Sequence, residues 1–298
     1  MDRVAIIALD GMVFASWLFL VSAGLTFVYG VLRILNIAHG SLYALGAYTA
    51  ASLVGAYLTA GGTPFLGYFA LLAAALLVGV IMGPLLERVF LRRAYDQEEV
   101  IVLLLTFAIF LILEDVMKLV WGVSPRFVNQ PYSILGQVNL AGITYARYPF
   151  LLVVVAIAAG ALLWALVNKT RFGKLLIAVI ADREMSAALG IDVPRINTVA
   201  FTLGAIFAAL AGAFTAPMIS VVPGISAEVI VLSFAVTVIG GLGNVGGAAM
   251  GALLVGLLRA AAVHLFPELD LFVIYALMAL ILLFRPQGLF GGLELRRI

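Results

Sequence analysis

Cysteine is absent from the 298 residues, and histidine occurs only twice, at His39 and His264. Disulfides, thiolate chemistry and cysteine-based metal sites are therefore excluded, and two histidines leave a metal centre or proton relay little material. Charge is scarce as well: Asp, Glu, Lys and Arg make up 11% of the chain, against ~25% in a soluble domain. The net charge of +2 is too small to point to nucleic acid. A phosphate-binding loop would read G-x-x-x-x-G-K-[ST]. The nearest stretch ends in Gly173-Lys174 but carries Asn168 at the first glycine position and Leu175 at the hydroxyl position, so no ATP site of that kind is present. Nor is there a nucleophile–base–orienter set, or a string of carboxylates suited to an ion-coupled pump. No enzyme is expected and no cofactor is called for. Any energy for uphill transport has to come from another polypeptide.

What the chain has in excess is apolar surface. Hydrophobic residues account for 65% of it and the mean hydropathy is +1.21, which marks an integral membrane protein. The apolar runs are long and poor in turns, unlike the short alternating segments of a membrane barrel. The expected fold class is all-α: a polytopic transmembrane helix bundle of about eight or nine spans, forming one domain over 1–298. The runs fall at 10–32, 39–58, 65–86, 100–120, 149–167, 197–218, 228–240, 248–265 and 271–284. A spanning helix needs ~20 apolar residues, so the short run at 228–240 reads as a broken, tilted or re-entrant element. Internal repeats are common in transporters. HGSLYALGAYTAASLVG and VGGAAMGALLVGLL both place small residues at close spacing after a polar or glycine-rich turn, although small-residue helices are common in any bundle.

Orientation follows from the basic residues, because cytoplasmic loops carry the Lys/Arg excess. Arg88, Arg92 and Arg93 mark one inside loop, the stretch 168–195 marks another, and Arg285, Arg296 and Arg297 mark the tail. Nine crossings satisfy all three, with the N-terminus outside and the C-terminus inside.

The stretch 168–195 is the longest polar interruption on the basic side. Its middle reads as a short amphipathic helix ending at Gly190, with Pro194 stopping any continuation. It is a structured handle offered to something in the cytoplasm. Gly243, Gly247 and Gly251 fall four apart, a spacing that puts bare backbone on one helix face for close packing. The preceding GGLGN, with Asn244, reads as irregular backbone tolerated only where protein or water covers it. Asn36, His39, Ser41 and Tyr43 lie where the first two spans meet. Glu114 sits four residues before Lys118, which reads as a self-neutralising pair on one face; the alternative is a carboxylate facing a water-filled path. Arg259 sits inside the eighth run.

GLTFVYGVLRILNIAHGSLYALGAY at 24–48, ADREMSAALGIDVPRIN at 181–197, VIGGLGNVGGAAMGALLVGLL and FRPQGLFG together resemble the permeases of branched-chain amino acid ABC importers, of the LivH type. The likeness runs over 24–291, nearly the whole chain. It implies a bacterial inner-membrane permease for branched-chain amino acids, working with a paralogous permease, two cytoplasmic ATP-binding subunits and a periplasmic substrate-binding protein. It implies further that 168–196 is a cytoplasmic coupling loop. Its contacts to the ATPase would come from Asp182, Arg183, Glu184, Ala187, Ala188, Gly190, Asp192 and Pro194, the glycine following sooner than in the general importer pattern. Asn36, His39, Ser41, Tyr43 and Asn244 are the candidates for the translocation path. Related systems carry urea or short amides. A stand-alone carrier or channel, and a non-transporting scaffold, are the competing classes.

Overall fold

Inside a bilayer only intrahelical bonds can satisfy the backbone of a spanning segment, and helix forms along every long apolar run of this chain. The structure, a computed structural model, describes residues 2–128, 130–140 and 143–291. The long helices are α1 (Asp2–Leu32), α2 (His39–Thr59), α3 (Gly67–Val89), α4 (Glu99–Trp121), α6 (Tyr148–Lys169), α9 (Val193–Thr215), α10 (Ile225–Gly240), α11 (Val245–Leu265) and α12 (Asp270–Phe284). Three short helices, α5 (Gln130–Ile134), α7 (Arg171–Ala181) and α8 (Arg183–Ala188), lie in the connections. So does one antiparallel hairpin, β1 (Gln137–Leu140) with β2 (Ile143–Ala146). Among the described residues, seven helices are long and apolar enough to cross a membrane, α12 together with the helical turn Pro267–Leu269 that leads into it. The exceptions are α10, with 16 residues, and α2, whose run of Gly, Ala, Ser and Tyr is buried among other helices instead of facing lipid.

The helices alternate in direction, so the α1 N-terminus and the α12 C-terminus lie at opposite ends of the bundle. One end gathers Arg33, Arg88, Arg92, Arg93, Lys169, Arg171, Lys174, Arg183, Arg195 and Arg285 and is called the basic end below. Arg296 and Arg297 lie outside the described residues.

At the centre sits α9, buried along almost its whole length. Its bare backbone admits neighbours closely: Gly204 lies against Gly24 of α1, and Gly212 against the Tyr43 carbonyl of α2. The two most extensive helix pairings are α3 with α9 and α1 with α11, while α1 crosses α9 and α2 meets α10. Helices α1–α3 and α9–α11 are thus two three-helix units of opposite orientation. The counterpart of α2 is α10, and not α11, whose small residues resemble those of α2 in sequence.

Candidate translocation and coupling sites

Both α2 and α10 begin in the middle of the bundle. α1 ends at the basic end with Arg33 at φ 54, and the chain then climbs through residues 33–38 without regular structure before α2 starts. The height of that start is fixed by His39, whose Nε2 lies 3.0 Å from the carbonyl oxygen of Val21 within α1. From there α2 runs away from the basic end, and its second half meets the end of α4, where the Trp121 indole donates to Ser52 Oγ at 2.7 Å. α10 does the reverse. α9 ends at Thr215 far from the basic end, and residues 216–224 return the chain inward. After Gly224 at φ 90, α10 runs back to the basic end. The two N-termini touch: a Cβ on Gly40 would collide with the carbonyl oxygen of Ser226.

The N-terminus of a helix presents unpaired N–H groups and a partial positive charge. At α10 both are met by Glu114 of α4, which is 7% exposed. Its Oε2 accepts the Gly224 backbone N–H at 3.2 Å and its Oε1 accepts the Ser226 hydroxyl. The expected pairing of Glu114 with Lys118 is not formed. Lys118 Nζ pairs with Asp115 at 3.0 Å instead, because Glu114 faces inward to a cap that lies 110 residues on. At α2 no carboxylate arrives. Asn36 Nδ2, His39 Nδ1 and Ser41 Oγ are buried without a hydrogen-bond partner among the described residues, as are Ser22 Oγ on α1 and Tyr48 OH on α2.

A cavity of about 590 Å³ opens in the half of the bundle away from the basic end. Its walls come from α1 (Phe14, Trp17), the returning segment 216–224, the first turn of α10 (Glu228) and α11 (Arg259). Its deep end is Tyr43, which shares a 2.6 Å hydrogen bond with Thr215, and whose ring lies 6.0 Å from that of Trp17.

At the basic end, the stretch expected to form one amphipathic helix forms two. Thr170 Oγ1 caps α7 by accepting the Gly173 N–H at 3.1 Å, and Asp182 Oδ1 caps α8 by accepting the Met185 N–H at 2.9 Å. α8 closes on Gly190, at φ 83, with Gly190 N–H donating to Ala187 O and Ile191 N–H to Ser186 O. That pair of bonds is the Schellman arrangement, which glycine alone enters without strain. Pro194 does not terminate anything. It sits in the first turn of α9, where a missing N–H costs nothing, and Asp192 caps that helix by accepting the Arg195 N–H at 3.1 Å. The sixth run therefore starts at Val193 and not at 197. Of the segment from Asp182 to Gly190, only Ser186 is buried, and Met185 and Leu189 present apolar side chains to the outside.

This exposed segment is tied to the bundle through a buried carboxylate. The Arg183 guanidinium lies 5.4 Å from the Tyr95 ring, and the Tyr95 hydroxyl donates to Glu87 Oε1 at 2.9 Å. Burial, followed by the adjacent carboxylate, pushes the Tyr95 hydroxyl well above the usual tyrosine range, so it stays a donor. Glu87, fully buried at the end of α3, also receives Arg92 Nη2 at 3.1 Å and Thr198 Oγ1 of α9 at 2.6 Å. The α8 segment, α3 and α9 thus share one polar knot.

Over residues 7–282 the sequence matches the family described as branched-chain amino acid transport system / permease component. The chain belongs to that family. It is 27% identical over 296 residues to the high-affinity branched-chain amino acid transport system permease protein LivH of Salmonella typhimurium, covering 97% of this chain and 96% of LivH. The same identity and coverage hold for the permease protein BraD of Pseudomonas aeruginosa. The permease protein LivM of Salmonella typhimurium is 28% identical over 289 residues, 89% of this chain and 66% of LivM.

In this permease, Asn36, His39, Ser41 and Tyr43 are brought together at the start of α2. Asn244 is not with them: it caps α11 by accepting the Gly247 N–H at 2.9 Å and donates to the Phe290 carbonyl at 2.9 Å, pinning the tail at the basic end. Gly243 is also displaced from its expected place. It precedes α11, at φ 81, and lies against Gly30 of α1, whereas Gly247 and Gly251 face Gly240 of α10. Three groups were not singled out from sequence. Glu87 had a signal, a carboxylate five residues before Arg92 in an otherwise apolar run. Thr215 and Glu228 had none, since their place depends on where the chain turns back.

Proposed function

We propose that this chain is the membrane-spanning subunit of an ATP-driven importer of branched-chain amino acids in the bacterial inner membrane. It pairs with a paralogous permease of the kind that LivM represents beside LivH. Two separate cytoplasmic ATPase subunits bind the basic end and a periplasmic binding protein delivers substrate to the other. The basic end faces the cytoplasm under the positive-inside rule, which places the N-terminus outside.

The observation that carries this reading is the segment from Asp182 to Gly190: capped at both ends, exposed along its length, and joined through Arg183, Tyr95 and Glu87 to α3 and α9. A short rigid helix on the surface with apolar Met185 and Leu189 outward is suited to docking in a groove of a partner. Movement of α8 on ATP binding would pull α9 through Glu87 and Thr198. α9 packs on α2 and holds Tyr43 through Thr215, so the motion reaches the deep end of the cavity. Alternating access follows if the two inverted units rock about the α1–α9 crossing.

Glu184→Arg and Gly190→Val test this reading. Both lie on the exposed segment, so membrane insertion is retained, while uptake driven by the ATPase falls at least tenfold and ATP hydrolysis no longer responds to substrate. Normal uptake in both variants would remove the coupling role.

A further inference from the structure

The cavity beside α10 carries two opposite charges whose valences are not used up by the protein. Arg259 is held by Asp270, with Nε to Oδ1 at 2.6 Å and Nη2 to Oδ2 at 2.9 Å, and its guanidinium lies 4.1 Å from the Phe14 ring. Its Nη1 has no acceptor among the described residues. Across the same cavity stands Glu228, in the first turn of α10, with neither an ion pair nor a hydrogen bond among the described residues. It is not needed to cap its own helix, because Glu114 already does so. A carboxylate in the first turn favours the helix dipole, and this one is also exposed to the cavity with its oxygens free of any partner among the described residues. Between the charges the wall is apolar: Trp17, Met218, Ile219 and Val222. The volume of about 590 Å³ lies inside the ~300–1,000 Å³ range of small-molecule sites.

We propose that this cavity is a binding station for the zwitterion of an aliphatic amino acid. Glu228 takes the ammonium group, the free Nη1 of Arg259 takes the carboxylate, and the apolar wall takes the side chain. A charged pair of this kind recognises the two backbone charges, which all amino acids share, and leaves the side chain only a hydrophobic surface. The station therefore rejects solutes lacking one charge more strongly than it distinguishes leucine from valine. Urea and neutral short amides carry neither charge, so they are held less well than a zwitterion. This inference rests on the importer reading above and names the substrate contacts within it.

The absence of cysteine makes the test specific. Ser220→Cys places one thiol on the cavity wall with a change of a single atom. Its maleimide labelling is followed in membrane vesicles holding the complete transporter. Leucine is expected to slow labelling, whereas 4-methylpentanoate, which lacks the ammonium, and leucinamide, which lacks the carboxylate, protect at least tenfold more weakly. Adding Glu228→Gln should raise the half-protecting leucine concentration about tenfold and bring leucine level with 4-methylpentanoate. Leucine failing to protect, or protecting equally with Glu228→Gln in place, overturns the station. Leucine uptake measured in the same vesicles separates the two claims. Uptake without protection leaves the importer reading standing and removes the site, and absent uptake removes the importer reading itself.

Discussion

The two helices that begin inside the bundle solve the same problem in different ways. α10 starts after a glycine, and a buried carboxylate from a neighbouring helix takes its first N–H and its first hydroxyl. α2 starts after a stretch opened by a non-glycine residue in the left-handed region, Arg33, and Asn36 Nδ2, His39 Nδ1 and Ser41 Oγ stay unpaired among the described residues. Buried polar groups are almost always paired, so the first arrangement is what stability alone would produce. The second retains groups whose pairing energy is withheld from the fold, which is where a polar solute passing between the half-helices would find partners.

That contrast can be broken at the contact itself. Gly40→Val adds a branched side chain where α2 meets the Ser226 carbonyl and the Ile230 side chain, and no rotamer escapes the backbone. Overpacking against backbone should cost about 3 kcal/mol or more, so the variant is expected to lose its monodisperse peak after detergent extraction. A normal peak would mean that the two N-termini are not in contact.

The contrast is sharpened by removing polar groups on each side. Glu114→Ala strips α10 of its cap and leaves the buried Ser226 hydroxyl, and the Gly224 N–H beside it, without the carboxylate they bond. The expected loss is about 1–3 kcal/mol, read as a lowered thermal midpoint in detergent. Ser41→Ala removes a hydroxyl that has no partner to lose, so the midpoint should stay within about 0.5 kcal/mol of the parent while leucine uptake slows several-fold. Equal destabilisation by Glu114→Ala and Ser41→Ala would erase the distinction between the two ends.

Much of this fold was legible because hydrophobic runs and basic loops report directly on the membrane. The nine runs are the nine long helices, and the short run at 228–240 became α10, which starts in mid-bundle. The polar residues at 36–43 were legible for the same reason, since polarity at a helix break inside an apolar chain stands out. What stayed hidden depended on partners distant in sequence. Glu114 looked like half of a local pair with Lys118, and only the return of residues 216–224 brings it to Ser226. Asn244 and Pro194 were misplaced for a different reason: Asn before an apolar run, and Asp-x-Pro before another, are helix-start signals, outweighed by the apparent irregularity of GGLGN and by the habit of proline as a breaker. Glu228 was counted as part of a span, and nothing local distinguishes a span residue from one lining a cavity.

The central claim is that α8 is the handle by which an ATPase moves this permease. Ala187 is exposed on α8, and the native chain has no cysteine. Ala187→Cys therefore gives a single reactive position for a thiol cross-linker, used in membranes before detergent extraction and pull-down of the chain. The account predicts an ATP-binding subunit covalently joined at that position, with a yield that changes on adding ATP. Recovery of the permease with no nucleotide-binding partner cross-linked to it would contradict the account and favour a stand-alone carrier.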